Sequence, residues 1–294
     1  MEKLTIFTPT YNRAETLKRT YLSLVSQTSK DFVWLIVDDG SVDNTRAVVD
    51  DWIKENKIKI RYIYQENAGK MQAHNVGVRE CETDLFLCLD SDDYLLDNCV
   101  EELLKEISSE CDNKQCAGLL FLKGKNDKES LSGTEFKLAY STLTNVYRQG
   151  FQGDLGILFF TRIIKQYSFP KFLNEKFITE DYIYCQIDVK YQYKIYNKIL
   201  MVCEYLNDGY SAQQINLFFK NPEGYVEYYN LKVKVTKGLF YKFKYSVALV
   251  MSCFSAKKKG LRIAHNKFLY FFAYGFGFVY YCIRKRKYKK QIKV

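Results

Sequence analysis

The chain has 294 residues, 47% of them apolar, enough to fill one large domain or two modest ones, which excludes a disordered or fibrous chain. Its net charge of +10 is uneven: residues 1–110 carry 13 Lys/Arg against 21 Asp/Glu and the remainder 31 against 13, so a basic region facing an anionic partner is expected. The spacing of nine Cys beside only His74 and His265 predicts neither a disulfide nor a zinc framework; free thiols fit a reducing cytosol.

Met1-Glu2-Lys3-Leu4 runs straight into a strand, so no signal peptide is expected. Thr5–Thr8 reads as the first strand. Pro9-Thr10-Tyr11-Asn12-Arg13 breaks it, and an amphipathic helix follows with Leu17, Tyr21, Leu24 and Val25 on one face. Phe32–Val37 is a second, fully apolar strand that ends in Asp38-Asp39-Gly40-Ser41. Asp43-Asn44 then opens a helix with N-cap chemistry. Ile58–Tyr64 is a third strand, and Asn67-Ala68-Gly69-Lys70 turns the chain into a helix over about Met71–Arg79. Leu85–Leu89 is the fourth strand, apolar throughout and so buried on both faces, as in a parallel sheet. This strand–helix rhythm predicts a parallel sheet with covering helices.

Asp90, Asp92 and Asp93 arrive just past that fourth strand, where open α/β sheets bind ligands. Clustered carboxylates repel one another, and a cation is the usual reason to gather them. Oxygen-only ligands favour Mg²⁺ or Mn²⁺, which bridge protein carboxylates to phosphates. The alternative is a solvated acidic turn before the next helix. All four strand ends carry polar residues, and in a parallel sheet they share one edge, which describes a pocket. An acid in the second loop can accept from a base N–H or a ribose hydroxyl; Asp38 and Asp39 can also simply cap the following helix. Neither a G-x-x-x-x-G-K-[ST] nor a G-x-G-x-x-G loop is present, so phosphates are not held in either of those ways.

The set T-P-T-Y-N-R (8–13), V-D-D-G-S-x-D (37–43), E-N-A-G-K-x-x-A-H-N-x-G (66–77) and L-D-S-D-D (89–93) resembles the family-2 glycosyltransferases. The resemblance covers residues 1–120 and implies a GT-A fold and a nucleotide-sugar donor. It implies that Thr8, Tyr11 and Asp39 meet the nucleobase, with Asp38, Pro9 and Arg13 nearby. It implies that Asp90 and Asp92 serve the ribose, the diphosphate and a Mn²⁺ or Mg²⁺ ion, with Ser91 between them. Asn67, Gly69, Lys70 and Asn75 would line the donor. Many members carry Arg where this chain has His74; the preferred reading here is a satisfied histidine on a helix rather than a charge-neutralising residue.

A helix over 97–110 with Val100, Leu103, Leu104 and Ile107 inward and a strand over Ala117–Leu122 follow. Lys123–Leu143 is polar and reads as the start of an acceptor-facing half. Leu155–Thr161 is another strand, with a helix to about Tyr167. In Phe177-Ile178-Thr179-Glu180-Asp181-Tyr182, two carboxylates interrupt an apolar and aromatic stretch before a helix over Ile183–Lys190. Helix N-capping by Thr179 explains them without function. The resemblance instead makes Asp181 the general base, with Glu180 as second candidate. Inverting transfer needs one carboxylate to take the acceptor proton while a metal stabilises the departing nucleoside diphosphate. Ile199–Leu206 reads as a strand, and Gly209-Tyr210-Ser211 as a turn that recurs in similar transferases.

From Asn221 the chain turns aromatic and basic. Lys257-Lys258-Lys259 precede Phe268–Ile283, sixteen residues without a charge, followed by Arg284-Lys285-Arg286-Lys287 and Lys289-Lys290. A spanning helix needs about twenty apolar residues. Helices lying in a membrane interface with cations on anionic headgroups fit this pattern. A short transmembrane or re-entrant hairpin pairing Tyr245–Phe254 with 268–283, and an ordinary helical subdomain, are the alternatives. No nucleic-acid motif accompanies the charge.

The expected organisation is a GT-A catalytic domain over 1–210, with a donor half (1–120) and an acceptor half (121–210), and a helical, basic-aromatic, membrane-associating region over 211–294. The expected activity is inverting transfer from a nucleotide sugar, UDP-linked by family habit, to a lipid-linked glycan in surface polysaccharide synthesis. The expected place is the cytoplasmic face of the cell membrane. A nucleotidyltransferase would carry a Gly-rich basic loop where Pro9–Arg13 stands. An inactive nucleotide-sugar-binding membrane partner would have no need of the acids at 90, 92 and 181.

Overall fold

Leu4–Thr10 (β1) and Phe32–Asp38 (β2) are buried along their whole length, as strands covered on both faces must be. In the computed structural model, which describes residues 2–108, 115–133, 135–203 and 213–292, they lie side by side within one sheet, β2 next to its edge strand. The elements that continue this part of the chain are α1 (Ala14–Val25), α2 (Thr45–Glu55), β3 (Ile60–Tyr64), α3 (Lys70–Glu80), β4 (Leu85–Cys88), β5 (Tyr94–Leu95) and α4 (Cys99–Ser108). Then come β6 (Cys116–Gly124), β7 (Tyr140–Ser141), α5 (Leu143–Arg148), β8 (Leu155–Phe160), α6 (Thr161–Ile164), α7 (Asp181–Ile187) and β9 (Gln192–Val202). Among the described residues the strands form one sheet in the order β3-β2-β1-β4-β8-β6-β9-β5, with β7 on β9.

The run β3-β2-β1-β4 is parallel throughout, so the carboxyl ends of these four strands do share one edge. Beyond β4 the sheet is mixed: β8 runs antiparallel to both β4 and β6, while β6 and β9 are parallel. Leu17, Tyr21 and Leu24 recur at helical spacing on α1 and pack on one face of the sheet with Trp34, Val49 and Trp52. There Tyr21 stacks on Trp52 at 4.3 Å. On the other face α3 approaches so closely that a Cβ on Gly77 would stand 2.4 Å from the Phe7 ring.

By contacts the chain divides into two units, Met1–Ser168 with Ile187–Glu204, and Phe169–Gln186 with Tyr205–Val294. This departs from a single cut near residue 210. The segment carrying Glu180 and Asp181 groups with the tail. The second unit contains α8 (Gln214–Lys220), α9 (Pro222–Val235), α10 (Leu239–Ser255), α11 (Gly260–Ile263) and α12 (Lys267–Ile292). It has its own apolar cluster of Val226, Leu249, Val250, Cys253, Tyr270 and Ala273. Residues 245–254 and 268–283, weighed as an alternative transmembrane or re-entrant hairpin, lie in α10 and α12, which pack on each other with Gly277 against Val250. Among the described residues no helix is long and apolar enough to cross a membrane.

Several boundaries shift. The last strand begins at Gln192 and ends at Val202, earlier than Ile199–Leu206, and the 209–211 turn lies outside the described residues. Helix α7 begins at Asp181 and ends at Ile187. Cys116 is disulfide-bonded, against the expectation of free thiols throughout; Cys81, Cys88, Cys99, Cys185, Cys203, Cys253 and Cys282 are free. That bond removes the thiol argument for compartment.

Candidate functional site

Three loops at the shared strand edge are tied to one another by the motif residues. Asn12, in the left-handed region at φ 52°, donates its backbone N–H to Ser41 Oγ at 2.8 Å and accepts from the Val42 N–H through Oδ1 at 2.8 Å. Asp43 accepts from the Ala14 N–H at 3.2 Å and from the Thr45 N–H and hydroxyl at 3.0 and 2.6 Å. Burial alone would push the Asp43 carboxyl up, but these hydrogen bonds hold it below its ordinary value. Asp43 was expected as helix-cap chemistry; it does accept from the first N–H of α2, and through Ala14 it also stitches the loops after β1 and β2 together. Asn44 takes the N-cap position and makes no side-chain cap bond.

Asp39 does the same for the loop after β3. Its Oδ1 accepts from Gln65 Nε2 at 2.6 Å and the Ala68 N–H at 2.8 Å, and its Oδ2 from the Gly69 N–H at 2.8 Å. Asn67 Nδ2 donates to the Asp39 carbonyl at 2.7 Å. Gly40 lets the two loops meet: at φ +85° a Cβ there would stand 2.8 Å from the Asn67 nitrogen. A carboxylate has about four acceptor positions. Among the described residues three of those on Asp39 are used inside the protein, two on Oδ1 and one on Oδ2. Asp38 is likewise engaged, by the Ser41 N–H at 2.7 Å and the Tyr62 hydroxyl at 2.6 Å. Thr8 is fully buried, and its hydroxyl accepts from Trp34 Nε1 at 2.9 Å. Pro9 is buried in β1, the Arg13 N–H bonds to Thr45 Oγ1 at 3.3 Å, and Tyr11 stands out 48% exposed.

The acidic turn after β4 is held from two sides. From α1, Thr20 Oγ1 donates to the carbonyls of Ser91 (3.3 Å) and Asp93 (2.9 Å), and Arg19 donates to the Asp92 carbonyl. From α3, Lys70 Nζ lies 2.7 and 2.9 Å from the two oxygens of Asp90. Burial works against the Asp90 carboxylate, but Lys70 and then Lys123 hold its carboxyl below the ordinary range. At Asp92 the pull of Lys70 is weaker than the effects opposing it. Burial, then Asp90 and Asp93, pushes its carboxyl up.

Two residues here escaped the sequence reading. Lys123 was expected to begin a polar loop. It lies in β6, with its Nζ 3.1 Å from Asp93 Oδ2, and both side chains are buried. The Cys203 thiol donates to the same oxygen at 3.0 Å. The signal was a lysine at the end of an otherwise apolar strand. Asp93, read only as one more acid in the cluster, is the buried partner. His74 is buried among the edges of Phe7 and Phe86, at 5.7 and 5.6 Å. Asn75 is not brought to the Lys70 side: five residues on, it is turned about 140° round α3. It lines a separate cavity of about 440 Å³ with Val78, Arg79, Lys165, Tyr167 and Ser168.

In the second unit, Asp181 opens α7 and Glu180 precedes it, half-buried. Asp181 Oδ2 accepts from the Tyr228 hydroxyl and from Lys232 Nζ, each at 2.8 Å. The Lys232 side chain is 5% exposed.

Asp90 and Asp92 offer oxygen donors, and the upward push on the Asp92 carboxyl is what a cation beside it would relieve. Among the described residues no group of three or more His, Cys, Asp or Glu side chains could hold a metal unaided. Two carboxylates fit an ion whose shell is completed by phosphate and water. The edge thus offers two carboxylates to a divalent ion whose remaining positions a phosphate would fill.

Residues 5–169 match the family model Glycosyl transferase family 2. Over 110 residues the chain is 36% identical to the teichoic acid poly(glycerol phosphate) polymerase of Staphylococcus epidermidis, covering 37% of this chain and 15% of that protein. It thus spans a small fraction of that curated relative. S. aureus TarS 1-349 in complex with UDP-GlcNAc shares the fold at a TM-score of 0.64 and 17% identity, over 92% of this chain and 79% of that one. The mannosyltransferase PcManGT from Pyrobaculum calidifontis in complex with GDP-Man and Mn²⁺ does so at 0.58 and 15%, over 99% and 84%.

Proposed function

Since the chain belongs to glycosyl transferase family 2, we propose that it moves a sugar from a nucleotide-sugar donor, UDP-linked, to an acceptor hydroxyl with inversion at the anomeric carbon. The observation that carries this reading is the Asp90–Asp93 turn at the carboxyl edge of β1, β2, β3 and β4, locked by Lys70, Lys123 and Thr20. TarS was solved with a UDP-sugar, which supports the choice of base.

Tyr11 and Asp39 Oδ2 take the nucleobase. Asp90 and Asp92 would hold Mg²⁺ or Mn²⁺, which supplies charge neutralisation to a departing nucleoside diphosphate; PcManGT was solved with Mn²⁺. Lys70 orients the diphosphate. Asp181 takes the acceptor proton, so no enzyme nucleophile is needed. The test is binding and slow hydrolysis of UDP-, GDP- and dTDP-sugars by calorimetry and nucleotide release, with Mn²⁺ or with EDTA. The expected result is one donor family bound at least ~10-fold more tightly with Mn²⁺, and loss of that metal gain in Asp92→Ala, since metal-bound carboxylates carry the diphosphate. Failure of every nucleotide sugar to bind in Mn²⁺ would sink the reading.

The acceptor is a lipid-linked glycan met at the inner membrane surface. Phe268, Phe271, Phe272 and Phe276 on α12 are 54–71% exposed, and Arg284, Lys285, Arg286, Lys287, Lys289 and Lys290 follow on the same helix. Exposed aromatics beside a run of cations suit an interface of anionic headgroups. The full chain should sediment with vesicles containing phosphatidylglycerol and stay free of pure phosphatidylcholine vesicles. Replacing those six cations by Gln should release it. Equal binding to both vesicle types, or to neither, contradicts the membrane assignment.

A further inference from the structure

Burying a lysine is costly unless its charge is met. Lys232 lies on the face of α9 that carries Tyr225, Tyr228 and Tyr229, at helical spacing. Its Nζ reaches Asp181 Oδ2 at 2.8 Å and stands 5.2 Å from the centre of the Tyr245 ring and 5.8 Å from that of Tyr228. Burial alone would pull the ammonium down; Asp181 outweighs it and holds Lys232 above its ordinary value. The Tyr228 hydroxyl donates to the same carboxylate oxygen, also at 2.8 Å. Among the described residues both hydrogen bonds to the Asp181 side chain fall on Oδ2.

We infer that Lys232 and Tyr228 are positioning residues for Asp181: they fix its carboxylate through Oδ2, supply its countercharge, and leave Oδ1 as the atom that receives the acceptor proton. This rests on the assignment of Asp181 as the base. In the step, the acceptor oxygen bonds to the anomeric carbon as its proton passes to Oδ1. The bond from that carbon to the diphosphate oxygen breaks, and its electron pair leaves with the nucleoside diphosphate. Lys232 keeps its proton throughout. The sequence shows this lysine only as one of the tail's many cations, and its work is inside the helical unit rather than on a surface.

The experiment measures UDP release from UDP-N-acetylglucosamine, UDP-glucose and UDP-galactose into water by the full chain. Lys232→Met should lower turnover about 10–100-fold with the donor KM within about twofold, and Lys232→Arg should restore most of it. Tyr228→Phe should fall between. Asp181→Asn combined with Lys232→Met should be no slower than Asp181→Asn alone, because the two act as one unit. Wild-type turnover in Lys232→Met, or a loss that adds fully to that of Asp181→Asn, overturns the inference. Wild-type turnover in Asp181→Asn is a different failure, that of the base itself. Should none of the three sugars be turned over, a double-mutant cycle in thermal melting decides: coupling between positions 181 and 232 supports the pairing, and its absence overturns it.

Discussion

Asp181→Asn keeps nucleotide-sugar binding and loses about 10²–10⁴-fold in turnover, the range that removal of a positioned general base produces. Asparagine preserves the shape of the side chain and can still accept from Tyr228. What it lacks is the ability to take a proton from an attacking hydroxyl. On the proposed assignment the donor is held by residues of the first unit, at the strand edge, so its dissociation constant should move less than about threefold, within the range of a site not touched. Lys232 loses its countercharge in this variant, and the melting temperature falls; turnover is therefore read well below the transition. Turnover within tenfold of wild type removes Asp181 from the chemistry. Loss of binding together with turnover points instead to a structural role.

Lys123→Met should cost about 3–5 kcal/mol of stability, the usual penalty for leaving one partner of a buried ion pair uncompensated. The Lys123 and Asp93 side chains are 13% and 6% exposed, so water cannot replace the lost ammonium. Cys203 remains as the donor to Asp93 that the substitution spares, and a thiol is weak in that role. Asp93 also accepts from Thr20 through its backbone, so the strain reaches the turn that carries Asp90 and Asp92. Urea denaturation should show the midpoint falling with the slope unchanged. Pairing Lys123→Met with Asp93→Leu should recover most of the loss, since an apolar pair of similar volume replaces a buried ion pair nearly neutrally. A single-variant loss below about 1 kcal/mol would mean that the pair is better hydrated than its burial implies.

The strand edge was legible because its signals are local. Apolar runs that end abruptly in Asp38-Asp39, Asn67 or Asp90 announce both strand and loop, and β1, β2, β3 and β4 follow them. The identity of the donors within those loops was less so. Asp39 and Asp43 look like ligands or caps in one dimension, and in three they hold neighbouring loops 30 residues away. Thr8 is turned onto Trp34 by the pleat of β1, a direction set by which face α1 and α2 cover. Lys123 and Lys232 were missed for one reason. Each is a cation whose partner lies far along the chain, and charge counting sends every lysine to the surface. Helical spacing could have flagged Lys232, which shares its face with three tyrosines.

The grouping of Phe169–Gln186 with the tail constrains how such proteins can be recombined. A chimera that exchanges everything after residue 204 for the corresponding region of a relative imports a foreign α9 against a native α7. Asp181 would then meet whatever the donor sequence carries at positions 228 and 232. The viable crossover takes 169–186 along with the tail, two inserts rather than one. For the same reason a drifting α9 can change only in step with α7, a constraint that the exposed aromatic face of α12 does not share.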